Sequence, residues 1–175
     1  MRTLVVTLIG IVAFASGVML GFKLDSTEAA DPPPISAAVP PAAVEATRVA
    51  LLEAAEAGDY DALRPLLPTE FRYTFGGPVE GGPIAHWQTL ERTTDERPLE
   101  ALAAILKMPY VLSRGYYVWP WAYTVAERAD LSEHERELLA PLGSPDELVL
   151  DGTGYLGWRA GFEPDGTWAF FVAGD

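Results

Sequence analysis

The chain has 175 residues, 49% of them apolar, no cysteine, and a formal net charge of −13 from 12 basic and 25 acidic side chains. This composition excludes a disordered chain, a disulfide scaffold, a cysteine-based zinc site, a cysteine nucleophile and a lipid attached through a thiol. Because acids outnumber bases about two to one, DNA, RNA and anionic membrane surfaces would repel the protein, and no nucleic-acid partner is expected.

Residues 1–24 have the pattern of a signal anchor or a signal peptide. Residues 3–22 are 20 consecutive uncharged residues, which as a helix at about 1.5 Å per residue would cross a hydrocarbon layer of roughly 30 Å. The stronger cationic flank, with Arg2, is N-terminal, so the rest of the chain should be exported. Cleavage near residues 13–15 or 27–29 is the alternative. Both interpretations place the following domain outside the cytoplasm, in the periplasm or cell envelope, with the membrane as a partner if the segment is uncleaved.

Residues 25–41 form a linker rich in proline and alanine. Five of the eleven residues from 31 to 41 are proline, which removes backbone donors and fixes φ. We therefore expect an extended, semi-rigid spacer of about 3 Å per residue that holds the domain roughly 30 Å from the apolar run. A role as a ligand for aromatic grooves is the alternative, but a spacer already explains the composition.

Residues 42–175 have the commonest size of a single domain. Their pattern predicts an α+β fold in which N-terminal helices pack on a small, mainly antiparallel sheet that ends in a C-terminal β-hairpin. The first helix carries Val44, Leu51 and Ala55 on one face and ends before Gly58. Asp59 is then placed to cap a short second helix.

The next segment alternates aromatic and polar side chains, which predicts a strand containing Phe71, Tyr73 and Phe75. Residues 76–83, GGPVEGGP, follow. They lack the lysine that a phosphate-binding loop requires, so they predict a flexible connection instead. A short helix is predicted over residues 84–90.

The middle of the domain predicts helices and two strands. Residues 98–107 form a helix whose apolar face belongs to the core. Two strand pieces should follow on either side of Arg114, the second ended by Pro120. Ser132 begins a capping box that opens a charged helix, and Ser144 precedes another short helix.

The C-terminus predicts a β-hairpin with a turn over residues 164–166. From that turn the predicted ladder pairs Glu163 with Thr167, Phe162 with Trp168, Ala160 with Phe170, and Trp158 with Val172. All pairs beyond the first are apolar, so this face should form half of the core. The predicted core face comprises Leu156, Trp158, Ala160, Phe162, Trp168, Phe170 and Val172.

The opposite face of this hairpin is a candidate ligand site. It carries Tyr155, Arg159 and Phe171 beside Gly157 and Gly161. Glycine within strands indicates that some group approaches the backbone closely. Close packing favours another element of the same domain as that group, and the alternative is a ligand whose acidic group meets Arg159.

The order of elements within residues 51–90 resembles the opening of NTF2-like (SnoaL-type) domains. LLEAAEAGDYDALRPLLPTEFRYTFGG, followed by GGPIAHWQTL, gives a long helix, a Gly-Asp stop, a short helix, an aromatic strand and a glycine loop into a helix. The resemblance implies a curved sheet wrapped round a helix to form a cone-shaped pocket. Some members use this pocket for acid–base catalysis, and many bind or assemble. The charged helical segment 126–150 departs from the pattern, and no catalytic position carries over.

Histidines supply the only residues for an enzyme hypothesis. His134 lies among glutamates on a charged helix, where a solvated face is the ordinary role. Asp130 and His134 share a helix face but lack a third ligand, so no metal or cofactor is expected. His86, next to Trp87 and after the glycine loop, either serves acid–base chemistry with a carboxylate or simply bonds to backbone at a helix start.

A second candidate is aromatic. Five aromatic side chains lie within residues 116–123, and Trp119 and Trp121 flank Pro120. Such a cluster lines a ligand pocket or belongs to the core, and the core is favoured for the tryptophans.

Two functional hypotheses follow. In the first, an exported, membrane-tethered or secreted domain binds a small ligand or an envelope partner without catalysis. In the second, a small NTF2-like acid–base enzyme uses His86 with a carboxylate. The enzyme needs a titrating pair within hydrogen-bond reach, whereas the binder needs an apolar cavity with a few polar groups. The candidate ligand-binding residues are Arg159, Tyr155, Phe171, His86, Trp119 and Trp121.

Overall fold

A computed structural model describes residues 39–174. The predicted signal or anchor segment and most of the predicted linker lie outside these residues. Within residues 39–174, no helix has the length and apolar character needed to cross a bilayer. The described residues form an α+β structure with a small antiparallel sheet that ends in a hairpin, as the sequence predicts.

The N-terminal half is helical, with α1 (Ala42–Glu56), α2 (Tyr60–Leu63), α3 (Gly82–Thr93) and α4 (Pro98–Leu106). The predicted face of α1 is confirmed, because Val44, Leu51 and Ala55 are buried. The predicted cap is confirmed too: a carboxylate oxygen of Asp59 accepts hydrogen bonds from two backbone N–H groups of α2.

The predicted strand over residues 71–75 is wrong. Arg72 alone in this segment makes a β-bridge, to Phe170. Beyond it, the Thr74 hydroxyl donates to the carbonyl of Gly76, and the backbone N–H of Val79 donates to the Tyr73 hydroxyl at 2.8 Å. These local side-chain bonds fold the segment back on itself before a strand ladder can extend.

The main sheet contains β1 (Val111–Ser113), β2 (Tyr116–Trp119), β5 (Arg159–Phe162) and β6 (Trp168–Val172), in that order and all antiparallel. A second sheet pairs β3 (Val149–Leu150) with β4 (Gly154–Tyr155). The charged segment supplies α5 (Glu133–Leu139) and α6 (Pro145–Leu148). Short 3-10 turns cover Arg64–Leu66, Trp121–Thr124, Arg128–Asp130 and Ala140–Leu142.

Local signals in the second half are confirmed. Ser132 and Glu135 form a reciprocal capping box at the start of α5. The Ser144 hydroxyl accepts a hydrogen bond from the first turn of α6. Both residues of the turn between β1 and β2, Arg114 and Gly115, have positive φ, as tight hairpin turns require.

The predicted hairpin register is right near the turn and wrong beyond it. Phe162 pairs with Trp168 as predicted, but Ala160 pairs with Phe171 instead of Phe170. The register shifts between Gly161 and Phe162, where β6 contributes one extra residue, Ala169. Because an extra residue reverses the alternation of faces, Phe171 enters the core and Phe170 points to the other side.

The main sheet separates two apolar clusters. On one side, α1, α3 and α4 pack against the sheet, and the largest buried side chains include Leu51, Trp87, Leu102, Trp119, Phe162, Trp168 and Phe171. On the other side, Val118 and Trp121 form a cluster with residues of α5 and of the β3–β4 sheet, among them Tyr155. The sheet is therefore covered on both faces within the described residues.

Candidate functional site

A cleft with a volume of about 790 Å³ opens at the end of the main sheet. We call it the main cleft, and it lies between residues 94–101, 141–148, 156–158 and 173–174. Its rim between α3 and α4 is fixed locally, because Thr94 ends α3 with two hydrogen bonds to the Leu90 carbonyl and Pro98 begins α4. Its apolar surface includes the side chains of Leu142, Leu148 and Leu156.

Trp158 forms a wall of the main cleft. Its indole N–H donates a hydrogen bond of 2.8 Å to a carboxylate oxygen of Glu96, 62 residues earlier in the chain. Its ring stacks on Phe171, with centroids 4.5 Å apart and planes 27° apart. A hydrogen bond at one edge and a stacked ring on one face hold the indole in place.

A smaller cavity of about 280 Å³ lies on the other side of this wall and shares Glu96, Trp158 and Ala173 with the main cleft. It is also lined by His86, whose ring centroid lies 5.6 Å from that of Tyr73. Burial lowers the pKa of His86, which favours the neutral imidazole near pH 7. Among residues 39–174, no hydrogen bond or ion pair joins His86 to a carboxylate.

The main cleft is acidic. Its surface carries four carboxylates and one guanidinium, that of Arg97, which leaves a formal charge of −3. Arg97 donates to the backbone carbonyls of Thr94 and Glu96. Within the part of the chain that the structure describes, no group of three or more potential metal ligands has the arrangement of a metal site. The carboxylates belong to Asp95, Glu96, Glu100 and Glu147.

Arg159 lies behind the main cleft and only 8% of its surface is exposed. Its guanidinium donates to the carbonyl of Gly174 at 2.6 Å and to that of Gly157 at 3.4 Å, and both of these glycines line the main cleft. The same group lies over the ring of Phe75, 5.2 Å from its centroid. In this arrangement Arg159 supports the backbone of the main cleft and is not among the residues that line it.

The close approach predicted from the strand glycines is confirmed, and the approaching groups belong to the domain itself. A Cβ on Gly161 would lie 2.1 Å from the Phe170 ring, and one on Gly157 would lie 2.3 Å from the hydroxyl of Tyr155. That hydroxyl donates to the carbonyl of Trp158, and burial raises its pKa. The prediction that Phe171 shares a ligand-facing surface with Arg159 is wrong, because the bulge in β6 turns Phe171 into the core.

The tryptophans flanking Pro120 are placed in the core. Trp119 and Trp121 are each 2% exposed, and they lie in different apolar clusters. An edge of Trp119 borders a separate depression beside residues 39–40. Of the six predicted ligand-binding residues, His86 lines the smaller cavity, and the structure does not bring the six together.

The pairing of Glu96 with Trp158 is not predicted from the sequence. Trp158 was assigned to the core face of the hairpin, and Glu96 is one of 25 acidic residues. The available signal was local: Glu96 lies two residues before the proline that starts a helix, so its position is fixed by the chain.

Comparisons with protein-family models, with curated proteins and with solved structures found no match. The resemblance of residues 51–90 to NTF2-like domains therefore stays a prediction.

Proposed function

We propose that this chain is an exported, non-catalytic binding protein that takes a small organic ligand in the main cleft, against Trp158. The observation that carries the proposal is a cleft of about 790 Å³ whose aromatic wall is already fixed by Glu96 and Phe171. Ligand sites are commonly clefts of roughly 300–1,000 Å³ with apolar surface and a few placed polar groups.

Preorganisation supports binding at this wall. A ligand that meets Trp158 does not need to order the indole, because the Glu96 carboxylate and the Phe171 ring already restrict it. Ordering a side chain on binding costs roughly 0.5–1.5 kcal/mol, and a fixed wall avoids that cost. The three leucines on the cleft surface supply apolar area for the body of a ligand.

Export is proposed from the sequence of the N-terminal segment. A reporter fused to the C-terminus should be cleaved by protease added to spheroplasts with intact inner membranes. In a separate fractionation without protease, the full-length protein should partition with membranes if the N-terminal segment stays uncleaved. A reporter that stays protected until the membrane is lysed would contradict export.

Ligand binding is tested with the full-length chain in a neutral detergent, labelled with ¹⁵N at its five tryptophans. A fragment library with equal numbers of cationic, anionic and neutral compounds is screened by nuclear magnetic resonance. We expect hits that move the Trp158 indole signal, which is assigned by its loss in Trp158→Phe. Hits should not bind Trp158→Ala and should still bind Leu112→Ala, which truncates an exposed leucine of β1 outside both cavities.

Two results would contradict the ligand proposal. One is that no library compound shifts the Trp158 signal, while the native chain specifically captures an envelope protein that Trp158→Ala does not bind. The partner of the main cleft would then be a protein and not a small molecule. The other is a set of hits that bind Trp158→Ala as well as they bind the native chain.

An acid–base enzyme is the second candidate, favoured by one observation. His86 and Glu96 line the same smaller cavity, and burial keeps His86 in the neutral form that a general base requires. If this hypothesis holds, some library hit will be converted chemically over hours, and His86→Gln will stop the conversion without loss of binding. Stable hits that bind His86→Gln unchanged would favour the binding protein.

A further inference from the structure

We propose that the ligand of the main cleft is an organic cation, an ammonium or guanidinium compound, whose charged group lies against Trp158 and Glu96. The inference rests on the proposed function, since it uses the same cleft, and it specifies the chemical class of the ligand.

An indole and a carboxylate are paired at the wall of the main cleft. Among aromatic side chains, an indole attracts cations to its face most strongly. Phe171 covers one face of Trp158, and Trp158 also lines both the main cleft and the smaller cavity. One oxygen of Glu96 accepts from the indole N–H at 2.8 Å, so the carboxylate is held at the edge of the ring.

Glu96 has unused bonding capacity. An ionised carboxylate offers about four lone-pair sites, and the Trp158 indole occupies one of them. A bound ammonium or guanidinium group would form a charge-assisted hydrogen bond with the remaining sites, which is roughly twice as strong as a neutral one.

The net charge around this pair is negative. None of the four carboxylates of the main cleft takes part in an ion pair within residues 39–174. Arg97 donates to backbone carbonyls, and the Arg159 guanidinium lies behind the cleft on the carbonyls of Gly157 and Gly174. Because the cleft surface carries four carboxylates against one guanidinium, its net charge of −3 disfavours an anionic ligand and attracts a cation.

The size of the main cleft suits a molecule and not a bare ion. A cleft of about 790 Å³ far exceeds the volume of a bare ion, and Leu142, Leu148 and Leu156 provide apolar surface in it. The charged group and the hydrocarbon body of one molecule are both accommodated, which specifies an organic cation.

The test compares three probes with the same phenyl ring and similar chain lengths: phenethylammonium, 2-phenylethanol and 3-phenylpropionate. Each is titrated into the full-length chain in neutral detergent, and the Trp158 indole signal is followed. We expect phenethylammonium to bind about tenfold more tightly than 2-phenylethanol, and 3-phenylpropionate to bind most weakly. Raising the salt from 0.05 to 0.5 M should weaken the ammonium probe and leave the alcohol unchanged.

Glu96→Gln isolates the charge, because glutamine keeps an acceptor for the Trp158 indole. We expect this variant to bind phenethylammonium about tenfold more weakly and 2-phenylethanol as before. Glu163→Gln is the matched control, since it removes one negative charge from an exposed position at the hairpin turn, outside both cavities. It should bind all three probes like the native chain.

Three outcomes would overturn the inference. If 2-phenylethanol or 3-phenylpropionate shifts the Trp158 indole signal at concentrations as low as phenethylammonium does, the proposed ligand class is wrong while the proposed function stands. If Glu96→Gln and Glu163→Gln weaken phenethylammonium equally, the attraction comes from the net charge of the chain and not from this site. If no probe shifts the Trp158 indole signal, the cation site is rejected. The library screen then decides separately whether the proposed function is correct.

Discussion

Trp158 and Trp168 lie beside the same ring, that of Phe171, and belong to two different regions of the molecule. Trp168 is 1% exposed and packs with Phe71 and Trp87 between the sheet and α3. Trp158 is half-buried, stacks on Phe171 and donates its N–H to Glu96 at the cleft. The Trp168 N–H donates no hydrogen bond to the described residues.

Trp168 and Trp158 thus have different structural roles in the same hairpin. On the core side, the large ring is used for its volume, and its polar atom takes no part. On the cleft side, the ring is fixed by its polar atom and is only partly buried, so part of its surface lines the main cleft. Trp119 and Trp121, which lie in the aromatic-rich segment of the sequence, are likewise buried in the core.

The largest expected effect comes from removing a ring on the core side. Trp168→Ala should lower the free energy of unfolding by about 3–5 kcal/mol, because it leaves a large cavity between the sheet and α3. Trp158→Ala should cost about 1–2 kcal/mol, since its ring is only half-buried. Urea unfolding followed by circular dichroism measures both, and equal losses would remove the distinction between the two regions.

A smaller effect is expected from the sheet itself. Gly161→Ala places a Cβ 2.1 Å from the Phe170 ring, which packs against Tyr116, so we expect a loss of about 1–3 kcal/mol in the same assay. Gly76→Ala, in the loop beside the smaller cavity, is the control, since nothing lies within 4 Å of its Cβ position. A stable Gly161→Ala would mean that Phe170 moves freely.

The smaller cavity should show its own pH dependence through His86, which lines it. Burial lowers the pKa of His86 below the ordinary value of 6.5. Just below that pH, His86 is therefore more protonated in the unfolded chain than in the folded chain. Stability from this group is therefore complete above about pH 6.5 and declines as the pH falls below it. His86→Gln should make that decline shallower in urea unfolding between pH 5 and 7.5, and an unchanged slope would contradict the burial of His86.

The smallest effect is expected at an exposed ion pair outside both regions. Arg128 bonds to Asp151 at 2.6 Å and holds the pKa of that carboxyl at about 2, below its ordinary 3.8. The stabilisation is present above about pH 4 and is lost as the pH falls toward 2. In Arg128→Ala, the pKa of the Asp151 carboxyl should return toward 3.8, as measured by a carbon-detected titration. The free energy of unfolding should change little, because solvent and salt screen exposed ion pairs. A titration midpoint unchanged in this variant would refute the pairing.

The sequence predicted elements whose signals are local. Asp59, the Ser132–Glu135 capping box and Pro98 each act on backbone groups within four residues, and each begins a helix where expected. The hairpin was right at Phe162 and Trp168 because the turn fixes the nearest pairs.

The sequence did not predict the candidate site. Of the predicted ligand residues, Arg159 and Tyr155 support the backbone, Trp119, Trp121 and Phe171 fill the core, and His86 lines a cavity. The neighbouring sequence did not show whether each of these residues is buried or lines a cavity, because the burial of a residue depends on which distant element covers that residue.

What the sequence by itself determined are the helix starts, the tight turns and an apolar hairpin, since each depends on neighbours along the chain. Tertiary structure alone decided the bulge at Ala169, which moved Phe171 into the core, and the hydrogen bond between Glu96 and Trp158. The hydrogen bond joins segments 62 residues apart, and the bulged residue is bonded to a distant segment too, because the Arg72 N–H donates to the carbonyl of Ala169. In both places the packing of several elements sets the register and the surroundings of each group.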